Sequence, residues 1–451
     1  MSLQDKLDRY PTAIAALTEP VPPGHVFPYP AEHSNWRDEQ RAWTTTAILF
    51  NQSWHMTDLY ITGPDAVRLL SETSTNTYRN FAAGRAKQYL ALNSDGYVVG
   101  DTILFALEGG VYQLVGFEMS INWIQYQAET GGYDVEFARD AAGWGRLGPV
   151  PKRQYRYELE GPAAWRILQA AAGRRLDPIG FFQMGEIAIG DLRVQALNHT
   201  MGGVPGEEST GLELFGPVEE NDEFVARILA AGADHGLVRG GSLSYGSTTL
   251  ESGWIGGVVP AIYTADGLRG YREWLPDTAL ENAVPGISGS YRPSEIDGFY
   301  MRPWDLGYGH MVKNDHDYIG RAALEAAQDQ PQGRKVWLRW NDDDTARVLV
   351  DSELDRAPRP RDLFAPFSVV RDAVMIGDER VGMTHITGYT TNLGSWTSVT
   401  TIDERYAVDG QEVEIVWGDF DGAASNPYAP DHAPRRIRAT VSTRSPQLQR
   451  H

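Results

Sequence analysis

The chain has 451 residues, of which 42% are hydrophobic and 22% are charged, and it carries a net charge of −20. This length predicts two or three domains with a large core. The acidic balance argues against a nucleic-acid surface or an anionic membrane face. The chain has no cysteine, which excludes disulfides, thiolate nucleophiles and thiolate metal sites. Because no apolar run has the length of a membrane span and the N-terminus lacks a secretory pattern, we expect a cytoplasmic protein.

The first 150 residues have the pattern of an α+β lobe. Residues 35–47 predict a helix, with Asn35 as its N-cap and acidic residues in its first turn. A strand-like run covers 47–61, and Gly63-Pro64-Asp65-Ala66 opens a second helix. The remaining elements predicted for this lobe are strands at 88–92, 97–106 and 111–116 and a helix at 120–130.

A second lobe, residues 151–330, repeats this order. A strand at 155–159 leads into Gly161-Pro162-Ala163-Ala164, which opens a helix as the earlier Gly-Pro segment does. Further elements are a strand at 212–215, a helix at 220–232, the tail of a helix at 248–253 and a helix at 320–327. From residue 331 the pattern changes to short strands, predicted at 336–340, 347–350, 380–386, 398–402, 412–416 and 437–441. The predicted fold is therefore α+β, with two related halves (1–150 and 151–330) followed by an antiparallel β-barrel domain (331–451).

Asp101 is an acidic residue in an otherwise apolar strand. The strand follows the turn Asn93-Ser94-Asp95-Gly96, whose residues tolerate the left-handed conformation. Burial of such a carboxylate is costly unless a partner satisfies it. Two interpretations stay open: a structural aspartate hydrogen-bonded to backbone, or a carboxylate held for a cationic or N–H-rich ligand.

Other polar motifs give weaker signals. Asp315-His316-Asp317 has metal-ligand residues, but successive residues of a strand point to opposite faces, so we predict no metal site. The acidic stretch 341–344 lacks the glycine and distal glutamate of a calcium loop and is interpreted as a solvated turn. No G-x-S-x-G segment is present, and the glycine-rich stretch 202–206 is not followed by the Lys-Ser/Thr of a phosphate-binding loop.

Several motifs in the right order resemble the glycine-cleavage T-protein (aminomethyltransferase) superfamily. The stretch NSDGYVVGDTILF resembles the hairpin that carries the family's catalytic aspartate, which corresponds to Asp101. GLELFGP resembles the folate-reading segment, with Glu213 at the position of the pterin-binding glutamate. GYGHMVKNDHDYIGRAAL resembles a closing segment of the family. The resemblance covers most of residues 30–330 and implies tetrahydrofolate as the cofactor.

Within the superfamily the chain is similar to tetrahydrofolate-dependent aryl O-demethylases that act on vanillate and related lignin monomers. The shared segments are AEHSNWRDEQRAW, LFNQSWHM, GDTILF, SYGSTTLESGW and PWDLGYG. This resemblance implies catalytic roles for His55 and Tyr245, and it implies that Trp254 and Glu251 belong to the folate-binding wall. From spacing alone, His55 could equally be a structural histidine, Tyr245 a surface loop residue and Glu213 an internal hydrogen-bond partner.

Two departures from the family pattern affect the predicted substrate and cofactor contacts. Phe117 occupies the position where those demethylases carry an arginine for the substrate carboxylate, which exchanges a bidentate clamp for an aromatic face. We therefore expect a neutral aromatic ether, bound by Phe117, Tyr29 and Trp123, although these aromatics could also be plain core. Glu160 stands where the family usually has glutamine, so its assignment as a folate contact is less certain.

Two reactions fit this resemblance. The favoured hypothesis is methylene transfer from a methylenedioxyphenyl lignan such as sesamin, which gives a catechol and methylene-tetrahydrofolate. The alternative is demethylation of a methoxylated phenolic acid of the vanillate or syringate type, which gives methyl-tetrahydrofolate. In both, His55 or Tyr245 would stabilise the departing phenolic oxygen, and Asp101 would stabilise positive charge on the folate nitrogen. A non-catalytic folate-binding protein is a third hypothesis. The expected partners are tetrahydrofolate and a small aromatic ether, with no nucleic acid and no membrane.

Overall fold

A computed structural model describes residues 2–19, 27–144, 148–199, 211–283, 287–424 and 427–446. The strands are β1 (Ala47–Asn51), β2 (Thr57–Thr62), β3 (Arg85–Leu92), β4 (Val98–Ala106), β5 (Tyr112–Gly116), β6 (Glu136–Asp140), β7 (Gln154–Glu160), β8 (Met184–Ile189), β9 (Leu192–Leu197), β10 (Gly211–Pro217), β11 (Leu237–Gly240), β12 (Gly333–Trp340), β13 (Phe367–Ser368), β14 (Ala373–Ile376), β15 (Glu379–Thr390), β16 (Ser395–Asp403), β17 (Glu412–Trp417) and β18 (Arg435–Ser442). The helices are α1 (Leu3–Leu7), α2 (Ala13–Leu17), α3 (Trp36–Thr45), α4 (Ala66–Glu72), α5 (Glu118–Gly131), α6 (Ala164–Ala172), α7 (Asn221–Gly232), α8 (Ser242–Ser252), α9 (Arg269–Trp274), α10 (Leu280–Ala283), α11 (Arg321–Ala327) and α12 (Asp342–Glu353). The glycine-rich stretch 202–206 lies outside the described residues.

Two sheets form the N-terminal body. The first has the strand order β3-β4-β5-β2-β6 and is antiparallel. The second has the order β11-β1-β7-β10-β9-β8, in which β1 runs parallel to β11 and antiparallel to β7. Strand β1 therefore belongs to the sheet of the second lobe, although it precedes residue 150. Its first four residues are buried, which suits a strand with a neighbour on each side.

The repeated Gly-Pro segments have the same structure in both lobes. Gly63 follows β2 and precedes α4, and Gly161 follows β7 and precedes α6. Both have positive φ angles, +114° and +112°, and a Cβ at either position would approach a backbone oxygen to 2.5–2.7 Å. Glycine is thus required twice at the same strand-to-helix turn, which supports the prediction of two related α+β halves.

The C-terminal region is a closed antiparallel barrel. Its strand order is β15-β14-β17-β18-β12-β16, and β16 pairs back with β15 to close the ring, while β13 adds to the edge of β15. The predicted strand at 347–350 is wrong, because this segment belongs to helix α12. Asn341 caps that helix by accepting a hydrogen bond from the backbone N–H of Asp344, and three aspartates occupy its first turn. The predicted acidic turn is therefore a helix start.

Two helices of the N-terminal body, α3 and α8, pack next to the site. Helix α3 starts after Asn35, whose side chain accepts from the backbone N–H of Arg37, as predicted. Helix α8 begins at Ser242, earlier than the predicted tail at 248–253, and so contains Tyr245. The Ser247 hydroxyl donates to the Ser244 carbonyl and the Ser244 hydroxyl donates to Glu39 of α3, so the buried hydroxyls of this serine-rich helix have partners.

The largest apolar core joins the first sheet to the barrel. It contains side chains from β3, β4 and α5 together with Met383 and Val399 of the barrel strands β15 and β16. The region between the lobes and the barrel is therefore tightly packed. Among the helices in the described ranges, none is both long and apolar enough to cross a membrane.

Candidate active site

A cavity of about 390 Å³ lies where the two lobes meet the barrel. Its size is in the range of small-molecule sites. Most of its lining is aromatic or aliphatic, and no lysine or arginine is among the described residues that line it. The side chains that define its walls are Phe27, His55, Met56, Phe117, Met119, Trp144, Tyr245, Trp254, Ile255, Val258, Phe367, Val369, His385 and Ile386.

His55 and Tyr245 form one wall of this cavity. Their ring centroids are 5.1 Å apart, and the His55 ring also contacts Phe27 and Tyr29, with centroid distances of 5.5 Å and 5.7 Å. His55 lies in the turn between β1 and β2, and Tyr245 lies in the second turn of α8. His55 Nδ1 and the Tyr29 hydroxyl are buried and have no hydrogen-bond partner among the described residues. His55 lines the cavity and has a polar atom there that a ligand could satisfy, whereas Tyr29, a predicted substrate contact, is not among the cavity-lining residues.

Both polar side chains of this wall are neutral near pH 7. Burial, together with the charge of Lys152, lowers the pKa of His55 to about 3. Burial raises the pKa of Tyr245 well above its ordinary value. The Tyr245 hydroxyl accepts a hydrogen bond of 3.2 Å from Gln52 Nε2, which also donates to Glu158, so its own proton is available to a ligand. Because burial leaves the His55 imidazole uncharged near pH 7, His55 would act through the N–H of its neutral ring rather than as an imidazolium.

Asp101 of β4 lies at a narrow recess next to the cavity, together with Phe117 and Met119. Its Oδ2 accepts hydrogen bonds from Trp254 Nε1 at 3.1 Å, from the Tyr308 hydroxyl at 3.0 Å, and from Gln88 Nε2. Burial raises the pKa of Asp101, and these three donors and the charge of Lys335 oppose that rise. These donors are side chains from three different segments, so Asp101 is not the backbone-bonded structural aspartate of the first interpretation.

Three aromatic rings connect the two ends of the cavity. Phe117 stacks on Trp144 and on Trp254, with centroid distances of 5.6 Å in both pairs and ring planes 27° and 7° apart. Trp144 approaches His55 with a centroid distance of 6.0 Å, and Trp254 donates to Asp101. The stack therefore links the His55–Tyr245 wall to the Asp101 recess, and Phe117 is its central member.

Glu213 of β10 is buried and paired inside the second lobe. It accepts from Arg156 of β7, and His199 Nδ1 is 3.9 Å from its second oxygen. Burial alone would raise the pKa of Glu213, but Arg156 and His199 together outweigh burial, and the pKa lies below its ordinary value. Arg156 also stacks on Phe105 and Phe215. Glu213 is not among the cavity-lining residues, which agrees with the alternative of an internal partner.

Three other predicted site residues lie away from the cavity. Glu251 of α8 accepts from Trp43 Nε1 at 3.1 Å and Asn392 Nδ2 at 3.0 Å, and so it joins α3 and the barrel. Glu160 is buried at the end of β7, opposite Ile48 and Gly211. Trp123 is a buried residue of α5 and packs against Tyr271, with a centroid distance of 5.0 Å. None of these three residues lines the cavity, although the sequence predicted that each of them contacts folate or substrate.

Sequence reasoning missed several residues that the structure brings to the site. Tyr308 lies within the GYG segment that the resemblance used, and Trp144 and Phe27 lie in loop segments without a periodic signal. Lys335 and His385 come from the barrel, far from Asp101 in sequence. In the described part of the chain no group of three acidic or histidine side chains could hold a metal, and His316 instead bonds Asp315 and the Ser74 carbonyl.

Comparison with known proteins decides the family. Residues 21–256 match the model of the GCVT N-terminal domain. The chain belongs to the glycine-cleavage T-protein family. It is 39% identical over 98% of its length to syringate O-demethylase of Sphingobium sp. (strain SYK-6), covering 95% of that protein. It is 24% identical over 86% of its length to sesamin methylene transferase of Sinomonas sp. (strain No.22), covering 86% of that protein. The fold matches that of aminomethyltransferase T from Bartonella henselae, with a TM-score of 0.58 at 16% identity, over 90% of this chain and 88% of that one.

The present chain is a tetrahydrofolate-dependent one-carbon transferase, as the sequence resemblance predicted. The residues of the cavity fit a reduced folate. The flat pterin suits the parallel aromatic rings of Phe117 and Trp254, and its N–H groups suit the buried acceptor Asp101. Asp101 is the group suited to hold its basic ring system, next to Trp254.

Proposed function

We propose that this protein is a tetrahydrofolate-dependent O-demethylase of a methoxylated phenol of the syringate type. Its product would be the corresponding phenol, and the methyl group would pass to the folate. The identity of 39% to syringate O-demethylase, against 24% to sesamin methylene transferase, favours methyl transfer over the methylene transfer that the sequence alone favoured.

The observation that carries this proposal is the division of the cavity into two polar ends joined by an aromatic wall. His55 and Tyr245 form one end and Asp101 the other, with the Trp144–Phe117–Trp254 stack between them. A methoxylated ring against the first end would direct its methyl carbon toward a folate held at the second. This arrangement supports transfer between two aligned molecules, since orientation supplies a large part of such a rate enhancement.

Demethylation breaks the bond between the methyl carbon and the aryl oxygen, and the bonding electrons remain on that oxygen. Bound reduced folate supplies the nitrogen nucleophile. Tyr245 would donate its hydroxyl proton in a hydrogen bond to the developing phenolate, and the N–H of the neutral His55 ring would do the same. Asp101 would stabilise the positive charge that develops on the cofactor side. The apolar lining excludes water, which strengthens these interactions.

Methylene transfer from a methylenedioxyphenyl compound is the second candidate. The observation that favours it is the uncharged character of the cavity around Phe117, because a benzoate would leave its carboxylate next to an aromatic face. Both reactions would use the same residues and would differ in the product formed on the folate.

Anaerobic incubation with tetrahydrofolate and a paired set of substrates tests the proposal. The set contains syringate, vanillate, their methyl esters and sesamin, and mass spectrometry follows the aromatic and the folate products. Methyl-tetrahydrofolate from a methoxylated substrate, with sesamin inert, is the expected result. A catechol and methylene-tetrahydrofolate from sesamin alone would replace the proposal by the second candidate. Comparison of each acid with its methyl ester shows whether the enzyme requires the carboxylate charge of the substrate in addition to the methoxy group.

A further inference from the structure

His385 is the extra residue of a β-bulge in the barrel wall. Strand β15 pairs with β16 through Thr384 and Thr400 and then through Ile386 and Val399, so two steps on β15 face one step on β16. Bulges redirect side chains and are common next to active sites. Here the bulge accompanies a buried histidine side chain that lines the cavity.

The hydrogen bonds around His385 determine which ring nitrogen carries the proton. The Thr401 hydroxyl donates its single proton to the Asp305 carbonyl at 3.0 Å, and it lies 2.8 Å from His385 Nε2. Thr401 must therefore accept from His385, which assigns the proton to Nε2. The ring is neutral, since burial and the charges of Arg371 and Lys335 hold the pKa of His385 well below its ordinary value. Nδ1 is then a hydrogen-bond acceptor, and no described residue donates to it.

The bulge is held in place from behind by Arg371. This buried guanidinium donates to the His385 carbonyl at 2.5 Å and to the carbonyl of Gly257, which also lines the cavity. The backbone of His385 is thus held at its carbonyl, and the ring is anchored through Nε2. An anchored acceptor loses little entropy when it binds a ligand.

We propose that His385 Nδ1 accepts a hydrogen bond from an N–H group of the reduced folate, so that the C-terminal barrel takes part in cofactor binding. Arg371 bonds the carbonyls of both His385 and Gly257, and Gly256 and Val258 on either side of Gly257 line the recess of Asp101, so His385 lies at the Asp101 end of the cavity. A reduced pterin presents several N–H donors, whereas a methoxylated phenol presents one hydroxyl, which lies at the His55–Tyr245 end in the proposed function. The inference rests on tetrahydrofolate dependence and not on the identity of the aryl ether.

A matched set of variants tests the role of the two ring nitrogens. His385→Asn keeps an oxygen near the position of Nδ1, whereas His385→Gln keeps a polar group near Nε2 and loses the acceptor. Thr401→Val leaves the acceptor in place and removes its anchor. The dissociation constant for tetrahydrofolate is measured anaerobically from the quenching of tryptophan fluorescence, and that for syringate is measured in the same way.

We expect His385→Gln to weaken tetrahydrofolate binding by about tenfold or more, since a buried donor of the ligand loses its partner. His385→Asn should stay within about threefold of the parent protein, and Thr401→Val should fall between them, with syringate binding unchanged in all three. Unchanged folate affinity in both His385→Gln and Thr401→Val would overturn the inference. A loss confined to syringate binding would also overturn it and would assign the donor to the aromatic substrate. Because folate binding is measured without turnover, a failure of the demethylase proposal leaves this test intact.

Discussion

Phe117 and Trp254 form an offset stack, with ring planes 7° apart and centroids separated by 5.6 Å. Trp254 in turn donates its indole N–H to Asp101. The residue that replaces the family's substrate-binding arginine is thus joined directly to the partner of the proposed catalytic carboxylate. If these residues have their proposed roles, substrate selection and cofactor orientation are coupled through one pair of rings, and we draw several predictions from this coupling.

Phe117→Arg should shift the substrate preference toward carboxylated ethers. The guanidinium can pair with a benzoate but breaks the stack on Trp254, so kcat should fall for every substrate. We expect the ratio of kcat/KM for syringate to that for its methyl ester to rise about tenfold. Phe117→Leu, which breaks the stack without adding charge, is the control, and an equal shift in that variant would contradict the clamp explanation.

Asp101→Asn should reduce kcat by about 10²-fold or more with a smaller effect on folate affinity, because the neutral amide cannot stabilise developing positive charge. The amide also faces the three donors that now bond the carboxylate. Single-turnover rates and the dissociation constant for tetrahydrofolate separate the two effects. Tyr308→Phe removes one donor and keeps the charge, so it should retain most of the activity.

Tyr245→Phe should lower kcat by about 10²-fold if its hydroxyl stabilises the leaving phenolate. The effect should grow with the pKa of the departing phenol, since a more basic oxygen needs more help. Rates for a series of ring-substituted anisoles provide this slope. Gln52→Leu, which removes the bond from Gln52 Nε2 to the Tyr245 oxygen, should cost less because the hydroxyl proton remains.

His55 should make stability depend on pH. Its pKa is about 3 in the folded protein and near 6.5 when unfolded, so the unfolded state binds more protons between these values. The stability associated with neutral His55 is fully present above pH 6.5. As the pH falls toward 3, the free energy of unfolding decreases by about 1.4 kcal/mol per pH unit at most. Between pH 7 and pH 5, the free energy of unfolding should fall by about 2 kcal/mol more for the parent than for His55→Asn. Denaturant unfolding of both proteins at the two pH values measures this difference. Equal responses would contradict the depressed pKa.

Arg156→Met should destabilise the second lobe by about 3–5 kcal/mol, because it leaves Glu213 buried without its cation. The pair between the exposed Arg405 and Asp403 is the matched control, and Arg405→Met should leave stability close to that of the parent protein. Unfolding of both variants by urea measures these differences. If Arg156→Met retained the parent stability but lost folate binding, Glu213 would be a cofactor residue rather than an internal partner.

Local sequence patterns predicted the elements whose structure depends mainly on the residues within the element. The cap at Asn35 and the Gly-Pro turns at Gly63 and Gly161 are examples, and the family, fold and cofactor followed from motifs in order. The segment 347–350 was predicted as a strand from its β-branched residues, but the cap at Asn341 and the aspartates after it start a helix.

The site itself was harder to predict where tertiary structure decides it. Asp101 obtains its donors from segments that are close only in the folded chain, and His385 reaches the cavity through a bulge that no local pattern announces. The pKa of His55 likewise depends on burial, which moves it far from its ordinary value. Conversely, Trp123 and Glu251 have the residue types of a binding wall, yet they pack elsewhere.

The position of β1 in the second sheet also affects how the chain can fold during synthesis. Its buried run Ala47–Phe50 is made early, but its partners are β7 and β11, and about 100 residues must follow before β7 is complete. At about 5–20 residues per second this is a delay of roughly 5–20 seconds on the ribosome. During that interval an apolar strand with open edges is exposed, so the nascent chain should be a substrate for chaperones that bind extended hydrophobic segments.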